Sequence, residues 1–331
     1  MRLTIHYLKN NLNSLFRKWL TVLIPLIIGS IIIFYQYSTL TFVEIEKIKI
    51  SFKNANYFYI FLSLLIAIIG HWSRAYRWKF ALNHLGYFPK FYNNFLSVLV
   101  SYFVNLTVPR SGEISRALLI KKYEEIPFDK AFGTIVGERI VDLLIFFIFV
   151  LIGFISQYEI IYHFLIKNNV SFISILFFIG AILVLAIIFC LIWVYAQWNI
   201  VLKLKKKLEG LLLGMKTVLK IKKKGYYIFH SFFIWVCYFT MFYIAIYALP
   251  ETSEISFNVV IMGFVFGSLA IGFSNGGLGA YPFSIALIFS LYGVSKDIGA
   301  AFGWLVWSSQ TILTIFSGFF SFLLLPILNK K

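Results

Sequence analysis

The stretch Pro109-Arg110-Ser111-Gly112-Glu113-Ile114-Ser115-Arg116 interrupts an otherwise apolar part of the chain with three charged side chains and a proline. A second charged group, Glu138-Arg139 with Asp142, follows inside the next apolar run. An ionisable side chain near a bilayer centre costs roughly 2.5–3.5 kcal/mol on insertion scales. We therefore expect the fold to be organised around these two charged groups, and we expect the groups to have a functional role.

The composition is that of a membrane protein. The chain is 60% hydrophobic and only 13% charged, and its mean hydropathy is +0.86. Its apolar runs are long enough to cross a bilayer, and no stretch between them is long enough for a separate soluble domain. We predict an all-α fold, a polytopic integral membrane helical bundle of about six to eight spans. Residues 1–331 are expected to form a single transmembrane domain.

The formal net charge of +17 would favour binding either to nucleic acid or to an anionic membrane surface. The lysines and arginines lie in short loops beside apolar runs, which is the positive-inside pattern, so nucleic acid is excluded as a partner. We expect a multi-pass protein of the bacterial cytoplasmic (inner) membrane, with both termini in the cytoplasm. No zinc-ligand spacing or nucleotide-binding glycine loop occurs in the sequence, so we expect neither a metal nor a cofactor.

Single spans are predicted over residues 20–35, 57–72, 130–155, 171–194, 226–249 and 298–325. Arg74 and Arg77, just after the second span, fit either an aromatic belt with snorkelling cations or direct contact with lipid headgroups. Residues 203–224 are a basic amphipathic cytoplasmic segment. It either rests on the anionic leaflet or simply sets the topology.

Two apolar segments have the wrong length for a single span. The apolar run over residues 95–108 is short and ends at Pro109, so residues 95–120 predict a re-entrant hairpin with Ser111 as the cap of its second helix. The uncharged residues 257–294 would form a helix of about 57 Å, nearly twice the hydrocarbon thickness, so this segment breaks near Gly276. Interrupted segments in both halves point to a transport site between them.

The three charges at Glu138, Arg139 and Asp142 share one face of a helix that Asp129 is expected to cap. Glu138 lies about 14 Å along this helix, near the middle of the bilayer. Arg139 can pair with Asp142, and the remaining negative charge then needs Arg110 or Arg116. Such a cluster is either a buried ion-pair network that fixes helix register or a polar cavity for a charged headgroup, and it can be both.

The arginines near residue 110 favour a phosphate ligand. A guanidinium contacts phosphate oxygens with two parallel hydrogen bonds, and the adjacent helix N-terminus also attracts anions. We predict no catalytic residue and a substrate-binding set consisting of Arg110, Gly112, Glu113, Arg116, Glu138, Arg139, Asp142, Asn275, Gly276, Gly277 and Gly279.

These motifs resemble the lysylphosphatidylglycerol synthase transmembrane family, also described as flippase-like integral membrane proteins. The resemblance is carried by residues 109–113 with Arg116-Ala117, by residues 137–139 with Asp142, and by residues 276–279. It implies a multi-span fold with re-entrant segments and a role in moving lipids between leaflets. In the multiple peptide resistance factors such a region accompanies a soluble aminoacyl-transfer domain, for which this chain has no room, so lysyl transfer is not expected. Family members often carry a glutamate shortly after the second glycine motif, where this chain has Ala280-Tyr281-Pro282.

The function predicted from these features is a lipid translocase for an anionic, phosphate-bearing lipid or lipid-linked precursor. Two alternatives stay open: a membrane-embedded transferase acting on lipid-linked headgroups, and an ion-coupled solute transporter. The sequence favours transport over catalysis, because it carries no aspartate-rich metal motif and no histidine spaced to pair with the charged cluster. The expected partners are anionic membrane lipids, and a homo-oligomer or a partner enzyme remains open.

Overall fold

A computed structural model describes residues 41–158 and 220–330 apart from Asn275, together with isolated positions at 31, 34, 35 and 38. Within these residues the protein is helical and contains no strand. The helices are α1 (Phe42–Asn54), α2 (Tyr57–His84), α3 (Phe91–Thr107), α4 (Gly112–Glu124), α5 (Phe128–Ser156), α6 (Lys224–Ala245), α7 (Pro250–Ser253), α8 (Phe257–Phe273), α9 (Ala280–Ser290) and α10 (Lys296–Leu328). A 3₁₀ turn, Ile246–Ala248, extends α6.

Four of the described helices are long and apolar enough to cross a membrane: α2, α5, α6 with its 3₁₀ turn, and α10. The helices α8 and α9 are apolar but shorter. The prediction of a polytopic helical membrane bundle is confirmed. The predicted spans over residues 20–35 and 171–194, and the basic segment 203–224 apart from its last residues, lie outside the described part of the chain. The total of six to eight spans therefore stays a prediction.

Helix α2 continues well beyond the predicted end at residue 72, to His84. Asn56 caps its N-terminus, where the side-chain Oδ1 accepts a hydrogen bond from the backbone N–H of Phe58 at 3.1 Å. Its buried face repeats at intervals of three and four residues, as expected for a helix packed against a neighbour. The members of this face are Ser63, Ala67, Gly70, Arg74, Arg77 and Ala81. A Cβ at Gly70 would lie 3.2 Å from Cys237 of α6, so small residues bring the two helices close together.

Both predicted breaks are present. Helix α3 ends at Thr107 and α4 begins at Gly112. The Asn105 Oδ1 accepts a hydrogen bond from the Gly112 N–H at 2.7 Å. Helix α8 ends at Phe273 and α9 begins at Ala280, with Gly277 between them at φ +82°. That left-handed conformation favours glycine. The re-entrant position of these segments in a bilayer stays a prediction.

Two apolar clusters hold the helices together. The larger one joins α8, α9 and α10 to the end of α6 and includes Phe242, Phe289 and Phe302. The smaller one joins α2, α4 and α5 and includes Trp78 and Ile120. The charged residues of α4 and α5 lie beside this smaller cluster, so apolar packing fixes the helices that carry them.

The two breaks also approach each other in space. A Cβ at Gly276, in the second break, would lie 3.1 Å from Leu106 Cδ2 in the last turn of α3. The Trp307 indole of α10 donates a hydrogen bond to the Gly276 carbonyl at 2.8 Å. The corner after α3 and the glycine loop before α9 therefore form one region of irregular backbone.

Candidate functional site

The site begins with two acidic residues one turn apart on α5. Glu138 and Asp142 are both buried, and like charges at this spacing repel each other. Helix α5 starts at Phe128 after Pro127, so Asp129 lies in its first turn and is not the cap that the sequence predicted. A buried carboxylate pair of this kind needs cations close by, and two neighbouring helices, α2 and α4, supply them.

Helix α2 supplies the first two cations. Arg77 donates two parallel hydrogen bonds to Asp142, at 2.6 Å from Nη1 to Oδ1 and at 3.2 Å from Nη2 to Oδ2. Arg74 Nη1 donates to Asp142 Oδ2 at 3.0 Å. Arg77 Nη2 also lies 3.5 Å from Glu138 Oε2, so one guanidinium bridges both carboxylates. These contacts bind α2 to α5.

Helix α4 supplies the third buried cation. Arg116 Nη1 donates to Glu138 Oε2 at 2.9 Å, and its guanidinium carbon lies 3.8 Å from the centre of the Trp78 ring. The Trp78 indole in turn donates to Thr134 Oγ1 of α5 at 2.9 Å. Of the two arginines that the sequence left open as partners for the acidic pair, Arg116 makes the contact.

A second ion pair lies at the exposed side of this cluster. Arg139 Nη2 lies 2.9 Å from Glu113 Oε1, and Arg139 Nη1 lies 3.6 Å from Asp142 Oδ2. The Arg139 side chain is 43% exposed and that of Glu113 is 23% exposed. The predicted contact between Arg139 and Asp142 is therefore present, but the closest partners of Asp142 are the two arginines of α2.

The buried part of the site carries one more positive than negative charge. Three guanidinium groups face two carboxylates among the described residues, and the outer pair of Arg139 and Glu113 is neutral. Several buried polar atoms also lack a hydrogen-bond partner in the described part of the chain. They are the Nε atoms of Arg74, Arg77 and Arg116, Nη2 of Arg116 and Oε1 of Glu138. Burying unpaired charge is costly, so the arrangement is suited to an added anion.

The structure brings together most of the residues that the sequence singled out, but not all. Gly112, Glu113, Arg116, Glu138, Arg139 and Asp142 lie on α4 and α5 around the cluster. Arg110 is exposed at the corner with φ +59° and makes no ion pair to any described residue. Gly276, Gly277 and Gly279 form the second break, and Asn275 lies outside the described residues. A substrate-binding role for these residues stays a prediction.

Arg74 and Arg77 are the residues that the sequence interpretation missed. Expected as snorkelling cations or headgroup contacts at a membrane boundary, they are buried against Asp142. The snorkelling interpretation was wrong because α2 was assumed to end before them, whereas contact with a headgroup stays a prediction. Their spacing with Ser63, Ala67 and Gly70 was the available signal, since residues on that repeat share the buried helix face.

Comparison with known proteins agrees with this architecture. A family model described as the lysylphosphatidylglycerol synthase TM region matches residues 22–318. A UPF0104 membrane protein of Methanocaldococcus jannaschii is 37% identical over 115 residues, which cover 34% of this chain and 34% of that relative. No solved structure matches the chain. With its apolar helices and a family match over most of its length, this multi-pass membrane protein belongs to the lysylphosphatidylglycerol synthase transmembrane-region family.

Proposed function

We propose that the protein is a lipid translocase that moves an anionic, phosphate-bearing lipid between the leaflets of a bacterial cytoplasmic membrane. The observation that carries this proposal is the surplus guanidinium charge buried among Arg74, Arg77 and Arg116. A guanidinium is always charged and matches the geometry of a phosphate group. A phosphate would neutralise the surplus and accept hydrogen bonds from the unpaired Nε and Nη2 atoms.

The acidic residues have a specific part in this mechanism. Without substrate, Glu138 and Asp142 hold the arginines in place, because each carboxylate accepts hydrogen bonds from guanidinium groups. When a phosphate arrives, it takes up guanidinium hydrogen bonds that the carboxylates do not use. The partly exposed pair of Arg139 and Glu113 lies where a headgroup would enter, and the phosphate competes there with Glu113 for Arg139.

The broken helices support movement across the bilayer as well as binding. Irregular backbone at membrane depth is tolerated where protein or a water-filled cavity surrounds it. The corner between α3 and α4 and the loop between α8 and α9 would be such segments if they lie within the bilayer, and Leu106 and Gly276 bring them together. Interrupted helices of this kind form the substrate sites of many transporters. The headgroup would pass between them while the lipid tails stay in the hydrocarbon.

The proposal is tested with purified protein in vesicles that contain a fluorescent phosphatidylglycerol, by measuring how fast the label becomes accessible to an external quencher. Arg116→Gln is expected to slow translocation roughly ten- to hundredfold, since a hydrogen bond to a charged group is worth about 1.5–3 kcal/mol. Lys121→Gln is the matched control, because it removes the same charge from an exposed position on the same helix. Both variants are compared as monodisperse protein, at a temperature well below the unfolding midpoint of the less stable one.

Equal translocation rates for the parent protein and Arg116→Gln would contradict the proposal. Lipid mass spectrometry on cells with and without the protein separates transport from chemistry. A translocase changes the distribution of a lipid between leaflets, whereas a membrane-embedded transferase produces or removes a lipid species.

A further inference from the structure

A histidine lies midway along helix α2, next to the charged cluster but outside it. His71 belongs to a 28-residue helix that is long and apolar enough to cross a membrane. Its side chain is partly buried, and its Nδ1 atom is buried without a hydrogen-bond partner in the described part of the chain. Ionisable side chains within membrane-crossing helices are rare, and they often belong to proton or substrate pathways.

Two tyrosines lie against this imidazole. The centre of the His71 ring is 4.5 Å from that of Tyr102 on α3 and 6.3 Å from that of Tyr238 on α6. The two tyrosine hydroxyls are 2.8 Å apart and share a hydrogen bond. His71, Tyr102 and Tyr238 therefore join three helices at one level of the bundle, and we call them the histidine–tyrosine group.

Arg74 connects the histidine–tyrosine group to the acidic pair of α5. It follows His71 by three residues on α2, so the two side chains are neighbours on the helix surface. The guanidinium carbon of Arg74 lies 5.9 Å from the centre of the Tyr238 ring, and its Nη1 donates to Asp142. The imidazole is thus one helical turn away from the surplus of buried positive charge.

The surroundings of His71 disfavour a second positive charge there. No described carboxylate forms an ion pair with it. Helix α10 carries no titratable side chain from residue 298 to residue 329. The titratable groups packed around it on the other helices are Arg74 on α2, Tyr102 on α3, Cys237 and Tyr238 on α6, and the arginine-bound Glu138 and Asp142 on α5. We therefore expect the imidazole to be neutral while the anion site is empty.

An anion bound to the arginines would change this balance. Its negative charge would offset the surplus of guanidinium charge and would favour a proton on the imidazole. By linkage, a proton on the imidazole would favour the anion by the same factor. Histidine is the side chain that most readily gains and loses a proton near neutral pH, so the proton can leave again with the anion.

We propose that His71 is a proton-binding site that couples lipid movement to a proton gradient, so that the phosphate-bearing lipid and one proton cross the membrane together. The imidazole takes a proton from the more acidic side when the phosphate binds to the arginines. It releases this proton to the opposite side when the phosphate leaves, and no covalent bond of the lipid forms or breaks. This inference rests on the proposed function and adds its energy source.

His230 on α6 is less suited to this role. Its Nδ1 atom already shares a hydrogen bond with the Ser73 hydroxyl at 2.8 Å, whereas Nδ1 of His71 has no partner among the described residues. The histidine with the unused ring nitrogen beside Arg74 is therefore the one that we assign to the proton.

The test uses the parent protein in vesicles that carry fluorescent phosphatidylglycerol in the outer leaflet and a pH-sensitive dye inside. With the outside about one pH unit more acidic, the label is expected to move inward at least about fivefold faster than with the gradient reversed. The dye should report acidification of the interior beyond that of protein-free vesicles. A proton ionophore should make the two inward rates equal.

The charge of the transported pair gives a second readout. An anionic lipid with one proton is electrically neutral, so a difference in pH should drive its movement and a membrane potential should not. A potassium diffusion potential imposed without a pH difference is therefore expected to leave the inward rate of the parent protein unchanged.

His71→Gln keeps a polar side chain but cannot carry the proton. Its lipid movement is expected to be independent of the direction of the pH gradient. His84→Gln is the matched control, because it makes the same change at the end of the same helix, where Nδ1 also lacks a partner among the described residues. This control should respond to the gradient as the parent protein does.

A measurement on the parent protein keeps the inference testable if His71→Gln does not fold. Binding of a short-chain phosphatidylglycerol in detergent is followed by calorimetry near neutral pH, in two buffers that differ in their heat of ionisation. The difference in heat is expected to correspond to uptake of about one proton per lipid bound. Binding without proton uptake would overturn the inference.

The outcomes separate the two proposals. If the parent protein moves the lipid equally fast under both gradients, if a potential alone drives it, or if His71→Gln still responds to the gradient, the inference is overturned and the translocase proposal stands. If the parent protein moves no lipid under any gradient, the proposed function fails and the inference fails with it.

Discussion

The guanidinium of Arg116 lies on the indole ring of Trp78, with its central carbon 3.8 Å from the ring centre. The same guanidinium donates to Glu138 through Nη1 and leaves Nε and Nη2 without a partner among the described residues. Stacking and the ion pair therefore fix the orientation of the arginine, while two of its donor atoms stay available to a ligand. Preorganised donors of this kind lower the cost of ordering the site when an anion binds.

We expect Trp78→Leu to destabilise the protein by about 3–5 kcal/mol, because it combines a large-to-small change in a packed core with loss of the cation–π contact. It also leaves the Thr134 hydroxyl without the indole N–H that donates to it. Trp78→Phe keeps an aromatic face under Arg116 and should cost less. Thermal unfolding in detergent measures the stability of both variants. Equal losses of stability would show that the aromatic face under Arg116 does not stabilise the protein.

Asp142→Asn is expected to destabilise the protein by about 3–5 kcal/mol, the usual cost of removing one partner from a buried ion pair. The reason is that Arg74 and Arg77 both donate to this carboxylate. Asp129→Asn provides the control, since Asp129 is exposed in the first turn of the same helix and should contribute under about 1 kcal/mol through the helix dipole. A similar small loss for both variants would contradict the buried network.

Gly112→Ala is expected to open the hairpin between α3 and α4. A Cβ at this position would overlap the Ser101 carbonyl oxygen, which belongs to the backbone and cannot move without displacing α3. We expect a loss of about 1–3 kcal/mol from overpacking and slower lipid movement. Gly225→Ala is the control, because no atom of the described residues lies within 4 Å of its Cβ position at the start of α6. Equal thermal midpoints for Gly112→Ala and Gly225→Ala would contradict a close contact between α3 and α4 at Gly112.

Gly277→Ala tests the second break. Gly277 has φ +82°, and its Cβ would lie 3.0 Å from Ile271 and 3.2 Å from Trp307. A side chain there adds backbone strain of about 1–3 kcal/mol. Gly272→Ala lies in the helix that precedes the break, where the described part of the chain places no atom within 4 Å of its Cβ. It should be neutral or stabilise by up to about 1 kcal/mol. Limited proteolysis and thermal unfolding would compare the two, and a stable Gly277→Ala would argue against a strained loop.

Much of the fold could be predicted from the sequence because its signals are local. Pro109 and the glycines near residue 276 predicted both breaks, since proline and positive-φ glycine end a helix wherever they occur. The shared face of Glu138 and Asp142 followed from helical periodicity alone. The end of α2 could not be predicted in the same way, because arginines beside aromatic residues suit a membrane boundary and a buried site equally well.

The sequence by itself determined that this is a helical membrane protein with two interrupted segments and with acidic and basic residues at positions where they are costly. Only the tertiary structure decided which charges meet. Asp142 is bound by Arg74 and Arg77 from a helix that lies far from it in sequence, and these arginines reverse the sign of the buried cluster from negative to positive. Periodicity orders side chains on one helix, whereas the balance of charge in a site depends on which helices pack together.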